Sequence, residues 1–390
     1  MRCFVASEIR MHRDSEGRVR AKHPAAAYAA WAPFVAAFGE ITVLARLDDE
    51  IRSETGVVVE GAGVVVQPLP YYAGAISTPR GLIRLRRSLR RIGSAEDVFV
   101  GRVPELVSLT ALAHARAIGA RTVAMFAADP RTLNTIAPGV FGRLIAQILT
   151  RAARKAMDRA DAATYVSERY FQQLFPASRR AATIGRSNVI LPPGWICGKA
   201  RNVVRRDGSL QLVSVGTLEH RAKGMDFLFD VLDRLRRDGM AVHLTVVGEG
   251  RMRPELERIV RQRGLDVSFT GQIEDRERLK EVLDSSDVYV SGSRTEGLPR
   301  ATVEGMGRAL PVVSTNAGAA AELVQAPFLT PIDDVESFCG AIALLARDAE
   351  AYSEQSSRSL ATAARVSEAA RPERLVAFFR DEVVGDSRAR

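Results

Sequence analysis

Between Ser293 and Thr315 the chain reads SRTEGLPRATVEGMGRALPVVST, and two of its carboxylates are spaced for chemistry. Glu296 falls in a loop after an apolar, strand-like run, and Gly297 lets backbone come close to a ligand. Pro299 suits the first position of a helix on which Glu304 lies about one and a half turns further on. Both carboxylates then border one pocket mouth. A carboxylate can accept from two vicinal hydroxyls, so the spacing suits a sugar or a ribose, while the helix's first amides and positive dipole end suit a phosphate. By pattern alone, either glutamate could equally be a solvated charge or a cap.

Such groups need rigid elements to hold them. From Leu210 onward, short apolar runs closed by glycine or polar residues alternate with segments of helical spacing. Strands are expected at Leu210 to Val215, Val242 to Val247, Val267 to Thr270, Val288 to Ser291 and Pro311 to Ser314. Helices are expected at Met225 to Arg237, Pro254 to Arg263, Arg276 to Asp284 and Pro299 to Arg308. That order implies a parallel, helix-covered sheet, a Rossmann-like domain. The first half carries a noisier version, with strands at Ile41 to Ala45, Val57 to Val66, Val98 to Val100 and Thr122 to Phe126, and helices near Ala25 to Phe38 and Val107 to Ala117. Gly194 to Gly208 lacks any clear period and suits a linker. The expected organisation is a domain over 1–200, a second over 207–370, and a C-terminal helix and tail over 371–390.

Charge divides along the same line. Residues 1–200 carry 28 Lys+Arg against 16 Asp+Glu, whereas residues 201–390 carry 27 against 30. A one-sided positive field points to an anionic partner. In RGLIRLRRSLRRI, Leu82, Leu85, Leu89 and Ile92 share one helical face and arginines cover most of the rest; Val140 to Ala160 repeats the theme more weakly. That is the pattern of an interfacial helix, or of a core-packed helix with a solvated arginine face. Cys3, Cys197 and Cys339 lie far apart without metal or redox spacing, which suits a reducing compartment. The start lacks the apolar stretch of a signal peptide, and no run is long enough to span a bilayer, so a cytoplasmic protein is expected.

The run EGLPRATVEGMGRALPVVST, with Gly318 and Glu322 after it, resembles the E-x7-E donor-site signature of retaining glycosyltransferases of family 4. VSVGTLEHRAKGMDFL, LTVVGEGRMRPELE and VSFTGQIEDRERL follow that family's order and intervals. In the first half, GRVPELVSLTALAHARAIGARTVAMFAADP and RAARKAMDRADAATYVSERY resemble the acceptor domain of bacterial branches that build surface polysaccharides. The resemblance implies an α/β protein of GT-B fold: two Rossmann-like domains with parallel sheets facing across a cleft, and a C-terminal helix that can cross back. It implies a hexosyl transfer with retention from a UDP- or GDP-linked sugar to a lipid-linked or saccharide acceptor.

Carried over by position, the resemblance implies that Lys223 and Arg221 neutralise the donor diphosphate, backed by the amides after Gly216 and Thr217. Glu304 would hold the ribose and Glu296 the transferred sugar, with Gly297, Leu298 and Pro299 lining the sugar-phosphate pocket and Gln272 and Ile273 meeting the base. Fixed cations and a helix N-terminus would stabilise the charge on the leaving diphosphate. No cofactor or metal is then required, and the chain has no D-x-D triplet. Thr217 stands where many family members have arginine, a loss Arg221 can make good, and Phe126 to Asp129 occupy a loop where many have histidine. Asp129 is there a candidate acceptor-side carboxylate or a turn residue before Pro130, and Arg102 a ligand for an anionic acceptor or a partner for a carboxylate.

Other chemistries are weaker. Arg253 occupies the third glycine position of the Gly248-Glu249-Gly250 run, which disfavours a nicotinamide site, and phosphate-loop, G-x-S-x-G and H-E-x-x-H motifs are missing. No nucleic-acid reader motif accompanies the arginines. Alternatives that keep the fold are a nucleotide-sugar epimerase or hydrolase, or a non-catalytic sugar-nucleotide or polyanion binder. The basic half further suggests a peripheral position on the anionic inner face of the cell membrane.

Overall fold

Apolar runs of four to six residues, cut off by glycine or a charged residue, fold here as strands buried on both faces, with the amphipathic segments between them laid on as helices. The computed structural model describes residues 1–72, 74–136, 139–202 and 209–385. These fall into two units. The first comprises Met1–Pro130, Gln147–Arg186 and the residues from Arg371 on; the second comprises Arg131–Ala146 and Ser187–Ala370.

The first unit contains β1 (Cys3–Arg13), β2 (Val19–Ala21), α1 (Ala32–Phe38), β3 (Ile41–Arg52), β4 (Val57–Val58), β5 (Val64–Leu69), α2 (Gly74–Leu89), β6 (Val98–Val103), α3 (Leu106–Ala117) and β7 (Arg121–Phe126). The short α4 (Leu133–Ile136) groups with the second unit, and the long α5 (Val140–Asp158) returns to the first from Gln147 on. β8 (Ala162–Tyr165), α6 (Tyr170–Leu174) and β9 (Ala182–Gly185) follow there. Strands β5, β3, β1, β6, β7, β8 and β9 lie side by side and parallel, while β2 pairs antiparallel with the far end of β1 and β4 antiparallel with β2. The helix expected over Ala25 to Phe38 is shorter than its apolar content suggests. Two 3-10 turns, Pro24–Ala26 and Tyr28–Trp31, precede it, and the α-helix starts at Ala32 with Pro33 in its first turn. The strand expected over Val57 to Val66 is split, with a turn through Gly61 and Gly63 between β4 and β5.

The second unit contains β10 (Leu210–Val215), α7 (Met225–Arg237), β11 (Val242–Val247), α8 (Arg253–Arg263), β12 (Val267–Gly271), α9 (Arg276–Ser285), β13 (Val288–Ser291), α10 (Arg300–Gly307), β14 (Val312–Thr315), β15 (Leu329–Thr330), α11 (Val335–Arg347) and α12 (Ala349–Ala369). All six strands are parallel, in the order β12-β11-β10-β13-β14-β15. Although the sequence suggests a first domain reaching residue 200, the chain joins the second unit from Ser187, because Val189, Leu191 and Trp195 are buried in that unit's core. The expected linker is tied down as well: Arg201 donates to the carbonyls of Ser286 and Arg308, and Cys197 N–H to Gly307 O at 2.8 Å. Its residues 203–208 lie outside the described part of the chain.

The last helix, α13 (Pro372–Phe378), and a π-helical turn over Phe379–Val384 belong to the first unit, whose core takes in Leu375, Phe378, Phe379 and Val383. The Phe379 ring is fully buried, with its centroid 5.4 Å from both Phe34 and Phe38 on α1. Replacing it with alanine is expected to cost the first unit about 3–5 kcal/mol, read as a lowered urea midpoint by circular dichroism. An unchanged midpoint would mean the C-terminal segment contributes nothing to that fold.

Candidate active site

In the second unit the strand order reverses between β10 and β13, and open parallel sheets bind ligands outside the carboxyl ends of strands at such a point. The chain leaving β10 makes a 3-10 turn at Arg221–Lys223, and the chain leaving β13 carries Glu296 before entering α10. Both candidate groups therefore sit at the switch point. Lys223 Nζ donates to Glu296 Oε1 at 2.6 Å, and Ser293 Oγ donates to the same oxygen at 2.7 Å. Glu296 is only 10% exposed and Lys223 27%, so the pair is poorly screened by water. The lysine stem passes over Gly216, where a Cβ would meet it at 3.3 Å. Lys223, Glu296, Pro299 and the first residues of α10 line a cavity of about 20 Å³, the size of one water.

The two loops are fastened together. Arg294 N–H donates to Ala222 O at 2.8 Å, and the Arg294 guanidinium donates to Arg221 O at 3.0 Å and pairs with Asp226 and Asp333, each at 2.8 Å. Burial pushes the Arg294 pKa down, but the bonds to Asp226 and Asp333 outweigh it and hold it above the ordinary arginine value. Gly224, in the left-handed region at φ +62°, packs so closely on Gly292 that a Cβ would stand 1.9 Å from Gly292 O.

Other expected residues take different places. Glu304 lies on α10, where burial raises its pKa against the opposing pull of Arg300 and Arg276; its carbonyl accepts from Trp195 Nε1 at 2.9 Å. Pro299 is buried as the cap of α10, Leu298 packs on the core, and Gly297 O accepts from Ala319 N–H at 3.1 Å. Thr217 Oγ1 accepts from Glu219 N–H, shaping the turn after Gly216. Arg221 turns its guanidinium to Glu255 on α8, 3.1 Å away, rather than toward Glu296. Gln272 is exposed and bonded to Glu274, with Ile273 packed against the core. In the first unit, Arg102 lies 3.7 Å from Glu105, and Asp129 is buried in the turn before Pro130.

Sequence reasoning passed over Ser293, Arg294, Asp226 and Asp333. Ser293 and Arg294 stand inside the informative run, but the two aspartates do not. Asp333 accepts from Arg294, while its neighbour Asp334 caps α11 by accepting from Ser337 N–H at 3.1 Å. The first unit holds a second cluster at its own strand reversal. Arg46 pairs with Glu8 at 2.8 Å and lies over the Tyr72 ring, Glu8 accepts from Val107 N–H, and Glu105 accepts from Glu8 N–H. Burial raises the Glu105 pKa there. Among the described residues, no three His, Cys, Asp or Glu side chains converge as a metal ligand set would.

Two Rossmann-like α/β units, one with a cation and a carboxylate joined at its switch point, define the GT-B class of fold. Residues 209–348, all within the second unit, match the model of the family Glycosyl transferases group 1. Over 196 residues the chain is 28% identical to the GDP-mannose-dependent alpha-(1-6)-phosphatidylinositol dimannoside mannosyltransferase of Mycobacterium tuberculosis, covering 47% of this chain and 51% of that one. Over 149 residues it is 27% identical to the amylovoran biosynthesis glycosyltransferase AmsK of Erwinia amylovora, covering 35% and 36%. The chain thus matches about half the length of these curated relatives, or less. The Anabaena protein HepE, solved in complex with UDP, shares the fold over the full length of both chains with a TM-score of 0.63 at 16% identity. No helix among the described residues is long and apolar enough to cross a membrane.

Proposed function

We propose that the protein is a glycosyltransferase that moves a sugar with retention, and without a metal, from a UDP- or GDP-linked donor to a lipid-linked or saccharide acceptor in cell-surface or exopolysaccharide biosynthesis, working at the inner face of the membrane. The observation that carries this reading is the Lys223–Glu296 pair at the switch point, beside the start of α10. In the reaction the bond from the sugar's anomeric carbon to the diphosphate oxygen breaks, and an acceptor hydroxyl oxygen takes its place on that carbon, giving up its proton finally to the released diphosphate or solvent. Negative charge builds on the leaving oxygen. Lys223, shared with Glu296, and the first amides of α10 stabilise it. Glu296 then accepts from hydroxyls of the transferred sugar and faces the positive charge that develops on its ring. Glu304 takes the ribose hydroxyls. Arg221, exposed and held only by a surface pair to Glu255, can swing onto the diphosphate at little cost. The named relatives support a nucleotide-sugar donor and a polysaccharide product.

Calorimetric titration of UDP and GDP in EDTA tests this reading. One nucleotide is expected to bind wild-type protein, and Lys223→Ala is expected to weaken it about 10- to 100-fold, the worth of one charge-assisted hydrogen bond. Binding that needs a divalent ion would overturn metal independence. Binding unchanged by Lys223→Ala would remove Lys223 from the diphosphate site.

A further inference from the structure

In the first unit, α2, α3 and α5 leave between them a groove of about 700 Å³, within the ~300–1,000 Å³ of sites that take small organic ligands. Leu82, Leu106, Leu109, Ile148 and Leu149 line it. The four leucines are half-buried, while Ile148 is 54% exposed, an apolar side chain that the fold leaves facing water. Along the rim stand Arg86 and Arg90 from α2 and its C-terminal turn, Arg116 from α3, and Lys155 and Arg159 from the end of α5. Among the described residues, no aspartate or glutamate lines the groove. Arg86, Arg90, Lys155 and Arg159 are exposed and make no ion pair with any described residue, although most arginines of the second unit are paired with carboxylates. Both strongly basic amphipathic stretches of the sequence, α2 and α5, therefore converge on this one face.

An apolar floor bounded by unneutralised cations is complementary to a molecule with a hydrocarbon chain and an anionic head. Five like charges around one hollow repel each other, and no carboxylate among the described lining residues offsets them, Arg116 donating only to the Arg159 carbonyl. We propose that this groove binds an anionic phospholipid of the bilayer surface, its acyl chain along the leucine floor and its phosphate among Arg86, Arg90, Lys155 and Arg159. The inference deepens the membrane part of the proposed function and rests on it, but it shares no residue with the donor site.

The test uses the full-length protein with vesicles of phosphatidylcholine, alone or with added phosphatidylglycerol, read by co-sedimentation. Binding is expected only with phosphatidylglycerol and should fall with salt. Two variants follow, Arg86→Glu with Arg90→Glu, and the charge-neutral Ile148→Asn, all at exposed positions where folding should persist. Each variant is expected to lower vesicle affinity more than about tenfold while UDP or GDP binding in the second unit stays as in wild type. Loss in Ile148→Asn, which changes no charge, marks chain insertion, because a purely electrostatic contact would tolerate it. Equal binding to neutral vesicles, wild-type binding by either variant, or full displacement of the protein from vesicles by millimolar inorganic phosphate would overturn the proposal. Failure of nucleotide binding with intact vesicle binding would sink the donor reading and leave the groove standing.

Discussion

Replacing Glu296 by glutamine is expected to lower turnover at saturating donor by about 10²–10³-fold, the scale of removing one preorganised electrostatic contact in a water-poor site. The same change should leave nucleotide affinity within about tenfold, with the shift toward tighter binding. The direction follows from the ion pair itself, in which the Glu296 carboxylate and the Lys223 ammonium stand 2.6 Å apart. A donor diphosphate must share or take over that ammonium, so the carboxylate competes with it in the ground state. Glutamine removes the competing charge but keeps an oxygen for Ser293 Oγ, now 2.7 Å from Glu296 Oε1. A group lost only from the transition state lowers kcat and kcat/KM together, which separates this role from simple substrate binding. Rates with and without acceptor should both be followed by product analysis. Sugar transfer that needs acceptor fits a transferase, whereas isomerised or hydrolysed donor would favour the epimerase or hydrolase alternative. Unchanged turnover would take Glu296 out of the mechanism, and collapsed nucleotide binding would recast it as a brace for the Lys223 turn.

The second unit was the more legible from sequence, and the reason is local. Its central strands are apolar runs buried on both faces, the edge strand β12 alternates, and the amphipathic helices between them present one face to that sheet, so period and burial coincide. In the first unit they part company. β1 runs on through Glu8 and Arg10 because its outer half pairs with β2 and β3 and returns to the core at Met11, and no alternation in CFVASEIRMHR announces that. Alanine-rich Ala25 to Phe38 carries helix propensity throughout, yet only the part after Trp31 is α-helical. Glu296 and Glu304 stand out in the sequence, and the structure brings Glu296 to the switch point with Glu304 further along α10, whereas the ties around Glu296 have no local signal. Asp226 and Asp333 reach Arg294 from 68 and 39 residues away, and only the fold brings such pairs together. Even neighbours can part, as Asp333 serves the loop that bears Glu296 and Asp334 serves the start of α11.

Gly224→Ala should do the widest damage for the fewest atoms. At φ +62° an alanine is strained by roughly 1–2 kcal/mol from its own backbone alone. The larger effect is steric, because the added Cβ would lie 1.9 Å from Gly292 O and 2.7 Å from Gly292 C, atoms of backbone that cannot rotate aside. The turn bearing Lys223 must then move away from the chain leading to Glu296, stretching the 2.8 Å bond from Arg294 N–H to Ala222 O. A displacement near ~1 Å is enough to cost about 10²-fold in rate where geometry is set this tightly. The variant is therefore expected to fold with a lowered Tm, to bind nucleotide more than about tenfold less well, and to lose about 10²-fold in kcat/KM. Gly239→Ala supplies the control. It too has positive φ, +79°, but nothing lies within 4 Å of the place its new methyl group would occupy, so it should lose about 1 kcal/mol of stability and no activity. If both variants bound nucleotide equally well, the close approach of Gly224 to Gly292 would not be what aligns Lys223 with Glu296. If only Gly224→Ala failed, the alignment of the two loops, rather than the presence of the two side chains, would be the property on which the donor site depends.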